Sequence, residues 1–272
     1  MTWNDLTAGS FDNRGCRVHY WHRPGTGNRY LFFFHGASAD HRMFELQIEA
    51  FDASDHLVFW DARGHGQSRL PAGLDFRFED MVDDAWKLYE LFGIETAAIV
   101  GQSMGGNLAQ ELVWRAPEKV SQLVLIGCTN NTQTLSTIDA WTLRLAPALF
   151  ALMPWSLIIS AGAKTCGNKA WVQEYVAQCL RAIDKKTFLR LLTETLSCLR
   201  EDPDYRFPLA VQLICGADDR AGNIRKAMLA WPTLDAAVDL QVVKDAGHNT
   251  NQDQPDAVNV LLRDYFYRSE QT

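Results

Sequence analysis

Six short, continuously apolar runs separated by helical patterns do most to narrow the folds open to this chain. They are Tyr30-Leu31-Phe32-Phe33-Phe34, Leu57-Val58-Phe59-Trp60, Ala97-Ala98-Ile99-Val100, Leu123-Val124-Leu125-Ile126, Val211-Gln212-Leu213-Ile214-Cys215 and Leu240-Gln241-Val242-Val243. A strand solvated on one face alternates apolar with polar residues, so runs with little alternation belong to strands covered on both faces. Between them, Met81, Val82, Ala85, Leu88, Tyr89 and Phe92 recur at helical spacing, as do Val258, Leu261, Leu262, Tyr265 and Phe266 after a helix-starting Pro255. Strand and helix in alternation predict an α/β protein with a doubly wound parallel sheet.

The alternation stops near Thr129 and resumes at Val211. The interval has helical patterns (Trp171, Tyr175, Cys179; Phe188, Leu191, Leu192, Thr195) and no strand-like run. A helical insertion over residues 129–205 is therefore expected between two strands of one core, residues 1–128 and 206–272. Within it, Leu145 to Ala163 is 19 residues without a charge, a length that just spans a bilayer. Pro147 and Pro154 interrupt it, so the expectation is a buried helix-break-helix packed on the sheet domain and serving as an apolar lid, with no membrane insertion.

Composition sets the remaining bounds. The 272 residues are 47% hydrophobic, enough for a sizeable core, and 26 basic against 33 acidic side chains leave a net charge of −7. Basic residues cluster no further than the pairs Lys185-Lys186 and Arg225-Lys226, which argues against nucleic acid or an anionic membrane as partner and for a small ligand. Six cysteines without a C-x-x-C spacing read as reduced thiols rather than a disulfide framework or a metal site. Met1 to Gly15 lacks the basic and apolar regions of a secretory signal, so the expected location is cytoplasmic. Monomer and homodimer both stay open.

The chemistry centres on Gly101-Gln102-Ser103-Met104-Gly105, which directly follows one apolar run and opens a helical pattern with Leu108, Leu112 and Val113. A serine at the apex of a tight strand-turn-helix is exposed above the carboxyl edge of the sheet, and the Met104 N–H points where an oxyanion would form. Serine needs a base to take its proton, and the base needs an acid to hold its tautomer. Gly216-Ala217-Asp218-Asp219 supplies a carboxylate after one late strand, and Asp245-Ala246-Gly247-His248 an imidazole after the next. His35-Gly36-Ala37 follows an early strand, making the Ala37 N–H the second oxyanion donor and His35 a structural residue. Asp61 and Arg63 are read as makers of structural hydrogen bonds rather than as metal ligands. His19 and His22, three apart in an N-terminal strand pair, point to opposite faces and are poor co-ligands.

Taken together, His35-Gly36, Asp61-Ala62-Arg63-Gly64-His65-Gly66-Gln67-Ser68, Gly101 to Gly106, Gly216 to Asp219 and Gly247-His248 resemble the motifs of the α/β-hydrolase fold superfamily, in its order and over nearly the whole chain. The resemblance implies an eight-stranded, mostly parallel sheet, a helical cap after the sixth strand, and a catalytic triad of Ser103, Asp219 and His248. It also selects Asp219 over Asp218 as the acid. Sister enzymes with Asp at the elbow, such as haloalkane dehalogenases and epoxide hydrolases, are disfavoured by Ser103, and proline iminopeptidases by Met104. Carbon-carbon bond hydrolases and haloperoxidase-like esterases share the Gly-x-Ser-Met-Gly-Gly form and remain alternatives, as does a ligand sensor with slow turnover. The leading expectation is a carboxylesterase or lactonase that needs no cofactor or metal. Trp141, Phe150, Met153, Trp155 and Trp171 of the insertion are the expected contacts for an uncharged, apolar or aromatic substrate.

Overall fold

The computed structural model describes residues 6–267. Residues 1–5, on which part of the leader reading rests, and residues 268–272 lie outside the described residues. The chain opens with a hairpin of β1 (Thr7–Asn13) and β2 (Cys16–Arg23). Its two-residue turn, Arg14 and Gly15, has positive φ at both positions (45° and 77°), the twist that lets antiparallel strands close tightly. The six apolar runs form β3 (Tyr30–Phe34), β4 (His56–Trp60), β5 (Ala97–Gln102), β6 (Val120–Ile126), β7 (Val211–Gly216) and β8 (Val238–Val243). The sheet has eight strands in the order β1-β2-β4-β3-β5-β6-β7-β8. From β4 across to β8 every pairing is parallel, and β2 alone runs against the others, antiparallel to both β1 and β4.

Period-two alternation sorts each strand between two cores. Phe32 and Phe34 of β3, with Val58 and Trp60 of β4, face one side, where α1 (Phe78–Phe92), α2 (Met104–Arg115) and α7 (Ile224–Ala230) cover them through Met81, Leu88, Leu108 and Met228. Leu31, Phe33, Leu57 and Phe59 face the other, under the 3-10 segment His41–Ala50 and α9 (Pro255–Tyr267) with Met43, Phe44, Leu262 and Phe266. Both faces are dry, which explains why these strands read as continuous apolar runs.

Between β6 and β7 lie α3 (Thr137–Leu152), α4 (Trp155–Cys166), α5 (Ala170–Arg181) and α6 (Lys185–Thr195). The uncharged run breaks at Met153-Pro154, and among the described residues no helix is long and apolar enough to cross a membrane. Burial corrects one expectation. Ile158 and Ala163 of α4 are buried, but α3 has no buried residue, and Ile138, Trp141, Leu145, Leu149 and Leu152 are all exposed. Hydrophobicity signals that a helix benefits from cover, and here the neighbouring helices leave that stripe of α3 uncovered.

Several polar residues hold the loops beneath the sheet's carboxyl edge. Asp61 accepts from the His41 N–H at 2.8 Å, His41 Nδ1 at 2.7 Å and the Gln67 N–H at 2.7 Å, while Arg63 makes a two-pronged bond to Asp84 at 2.6 and 2.7 Å. His35 Nε2 accepts from the Ala62 N–H at 3.0 Å, which leaves Nδ1–H to donate to Gly36 O at 2.8 Å. His22 stacks with His56 in the first strands, and burial followed by the His56 charge pushes its pKa down to about 4. His65 is fully buried, donates Nδ1–H to Arg63 O, and is pushed down to about 3, chiefly by burial.

That burial makes the fold acid-labile. The unfolded His65 takes up a proton below about pH 6.5 and the folded one only near pH 3. The stability that depends on neutral His65 is therefore fully present above about pH 6.5 and is lost as pH falls towards 3, by on the order of 3 kcal/mol at pH 4. Thermal melts from pH 7 to pH 4 should show a falling Tm, with a shallower fall in His65→Gln. An equal slope in the variant would remove His65 from the account.

Candidate active site

The turn from β5 into α2 is built around absent side chains. A Cβ at Gly101 would lie 2.5 Å from Gly105 O, and one at Gly105 would lie 2.0 Å from Phe34 O. Close approach of these backbones forces Ser103 into a left-handed conformation, φ 50° and ψ −117°, at the N-cap of α2. Such strain in a non-glycine residue persists only where its surroundings dictate it. The Ser103 N–H donates to Ile126 O at 3.0 Å, and its carbonyl accepts from the Asn107 N–H at 2.9 Å. Both backbone groups are committed, and Ser103 sits on the wall of a cavity.

His248 comes from the loop after β8 and lines the same cavity. Its Nδ1 lies 2.9 Å from Asp219 Oδ2, and Asp219 Oδ1 accepts from the Ala221 N–H at 2.8 Å. The Asp219 side chain is 0% exposed and that of His248 8%. A carboxylate so placed holds Nδ1 protonated and leaves Nε2 as the free base. Asp218, its sequence neighbour, accepts instead from Asn168 Nδ2 at 2.8 Å.

The elbow is tied to the His248 loop, and lies close against the Gly36 loop, through Gln102, the variable position of the Gly-x-Ser pattern. Its Nε2 donates to His248 O at 3.2 Å, and its Oε1 lies 2.1 Å from where a Gly36 Cβ would stand. A side chain at position 36 would displace the Gln102 amide from this position. Ala37 follows Gly36 on the cavity wall, and Met104 is buried at the start of α2. Ala37 and Ser103 thus share one cavity wall, and Met104 follows the serine at a helix N-terminus, which carries partial positive charge.

The cavity has a volume of about 350 Å³. Its wall beyond the polar loops is apolar apart from Thr165 of α4: Met43, Phe150 of α3, Ile158 of α4, Val176 and Leu180 of α5, Phe188 and Leu192 of α6, and Ile224. Among the described residues no Asp, Glu, Lys or Arg lines it. Of the aromatic and Met residues expected as substrate contacts, Phe150 is on this wall. Trp141 and Met153 line a groove along α3 that shares Phe150 with the cavity, Trp155 packs against Phe188 with ring centroids 5.3 Å apart, and Trp171 is 45% exposed on α5. Phe188 and Leu192 were visible in the sequence only as an apolar helical face. Among the described residues no cluster of three or more His, Cys, Asp or Glu side chains suits a metal ion.

Comparison with known proteins follows the same lines. A family model described as serine aminopeptidase, S33, matches residues 25–255. The chain is 28% identical over 256 residues to a putative non-heme bromoperoxidase, BpoC, of Mycobacterium tuberculosis, covering 89% of this chain and 95% of that protein. In three dimensions it resembles a thermophilic esterase from Thermogutta terrifontis, with a TM-score of 0.78 at 18% identity over 97% and 98% of the two chains. It likewise resembles the enol-lactonase of Burkholderia xenovorans, with a TM-score of 0.77 at 18% identity over 94% and 99%.

Proposed function

Because the chain belongs to the serine aminopeptidase S33 family of α/β hydrolases, we propose that it cleaves a carboxylic ester or lactone of an uncharged, apolar or aromatic small molecule through an acyl-enzyme. One observation carries the substrate class: the cavity shared by Ser103 and His248 has no ionic side chain on its wall. A charged substrate would lose its hydration there without a counter-charge to replace it.

Ser103 Oγ attacks the carbonyl carbon while His248 Nε2 takes its proton, and Asp219 stabilises the imidazolium that results. The Ala37 and Met104 amides receive the oxyanion of the tetrahedral intermediate. Collapse breaks the bond to the leaving alkoxide, which takes the proton from His248. Water then attacks the acyl carbon, gives its proton to His248, and a second collapse frees the acid and returns the proton to Ser103. Three side chains and one water balance every step, so the cycle calls for no cofactor. Residues 129–205 act as a cap over this site, on a core of 1–128 and 206–272.

The test is a ladder of p-nitrophenyl esters from acetate to octanoate, with aryl esters, simple lactones and a matched ester bearing an acyl carboxylate. Neutral members should be hydrolysed with kcat/KM at least about tenfold above the carboxylate analogue. Equal turnover of the charged member would contradict the substrate class. Phe150 meets Phe188 edge-on at 5.9 Å across the wall. Phe150→Ala should therefore move the preference to longer chains while the acetate rate stays within about threefold. An unchanged chain-length preference would remove Phe150 from the acyl pocket.

A further inference from the structure

The inserted helices are fastened to the catalytic loops at two points, one at the His248 loop and one at the loop after Ala37. The first is Asp253 at the end of α8 (Thr250–Asp253), whose side chain is fully buried. Its carboxylate accepts from the Gly247 N–H at 2.8 Å, from the Asn168 N–H at 3.0 and 2.9 Å, and from the Lys169 N–H at 2.9 Å. Gly247 immediately precedes His248, while Asn168 and Lys169 form the turn between α4 and α5. Beside this bolt the Asn249 N–H, just after His248, donates to Cys166 O at 2.7 Å. Cys166 is the last residue of α4.

The second point is Tyr175 of α5. Its hydroxyl accepts from the Asp40 N–H at 3.1 Å and lies 3.2 Å from the Asp40 carbonyl, to which it donates. Asp40 stands three residues beyond Ala37, across a turn closed by Ala39 N–H to Gly36 O at 3.2 Å. Arg42 grips the Asp40 carboxylate at 2.7 Å, and its guanidinium lies 5.5 Å from the centroid of the Tyr175 ring. By contrast, α3 has no buried residue.

We propose that Asp253 and Tyr175 are positioning residues through which the α4–α5 pair sets the separation of the His248 loop and the Ala37 loop, making the cap part of the catalytic frame. The inference rests on the ester-hydrolase reading above. Charge-assisted bonds from three N–H groups to one buried carboxylate are strong and leave little play. Misplacing base or oxyanion donor by a fraction of an ångström costs rate without costing affinity for the ground-state substrate. Asp253→Asn offers one oxygen where these N–H groups need two, and Tyr175→Phe removes the hydroxyl alone.

The test is the second-order rate constant for labelling of Ser103 by a fluorophosphonate, which uses the base and the oxyanion donors whatever the natural substrate. Each variant should label about tenfold or more slowly than wild type, with KM for p-nitrophenyl acetate changed less than about threefold. Asp253→Glu should recover part of the loss, and Arg181→Ala, an exposed change on α5, should label at the wild-type rate. Should Asp253→Asn fail to fold, Tyr175→Phe and Asp253→Glu decide the matter. Wild-type labelling rates in folded variants, or a loss matching only the unfolded fraction seen by circular dichroism, would overturn the proposal. Failure of the wild-type protein to label would overturn the hydrolase reading instead.

Discussion

Ser103→Ala is expected to lower kcat on a neutral ester by about 10⁴- to 10⁶-fold while leaving the fold unchanged. The size follows from the non-additivity of a nucleophile and its base: without the Oγ, His248 has no alkoxide to generate, and only the oxyanion donors and substrate binding remain. The fold should tolerate the change, because the elbow is held by backbone bonds from Ser103 to Ile126 and Asn107 and by missing Cβ atoms at Gly101 and Gly105. Steady-state kinetics beside circular dichroism spectra check both halves. A folded variant with turnover within tenfold of wild type, a margin far below that range, would remove Ser103 from the chemistry.

Asp219→Asn should cost about 10⁴-fold in kcat. The amide is nearly isosteric and keeps one oxygen for the Ala221 N–H, but it presents an NH₂ group or the wrong tautomeric partner to His248 Nδ1. The imidazole is then held with Nε2 protonated, unable to take the serine proton. Asp218→Asn, whose side chain accepts from Asn168 at an exposed position, should remain within about threefold of wild type. Paired kcat measurements at pH 8 decide it, and a reversal of the two results would move the acid to Asp218.

What the sequence makes legible is what covered strands and tight turns dictate. Tyr30 to Phe34 and Val211 to Cys215 read as strands because dry faces on both sides favour apolar residues with little alternation, Gln212 being the exception, and β3 and β7 lie there. The elbow reads because two glycines around a serine have few physical reasons other than backbone crowding, and the would-be Cβ distances at Gly101 and Gly105 show that crowding. The cap is harder to read. Tryptophan content says that a helix has large apolar surface but not which way that surface faces, so Trp141 and Trp171 lie off the cavity while Phe188 and Leu192 line it. Asp253 is less legible still. Its partners are backbone N–H groups of residues 247, 168 and 169, and a contact with backbone leaves no complementary side chain for a pattern to reveal.

The most direct test of the central claim is to quench the protein in acid during turnover of p-nitrophenyl butyrate and locate the bound acyl group by mass spectrometry of its peptides. One butyryl group per chain is expected, on the peptide bearing Ser103 and absent from Ser103→Ala. A butyryl group on another residue, or undiminished turnover by Ser103→Ala, would contradict that claim.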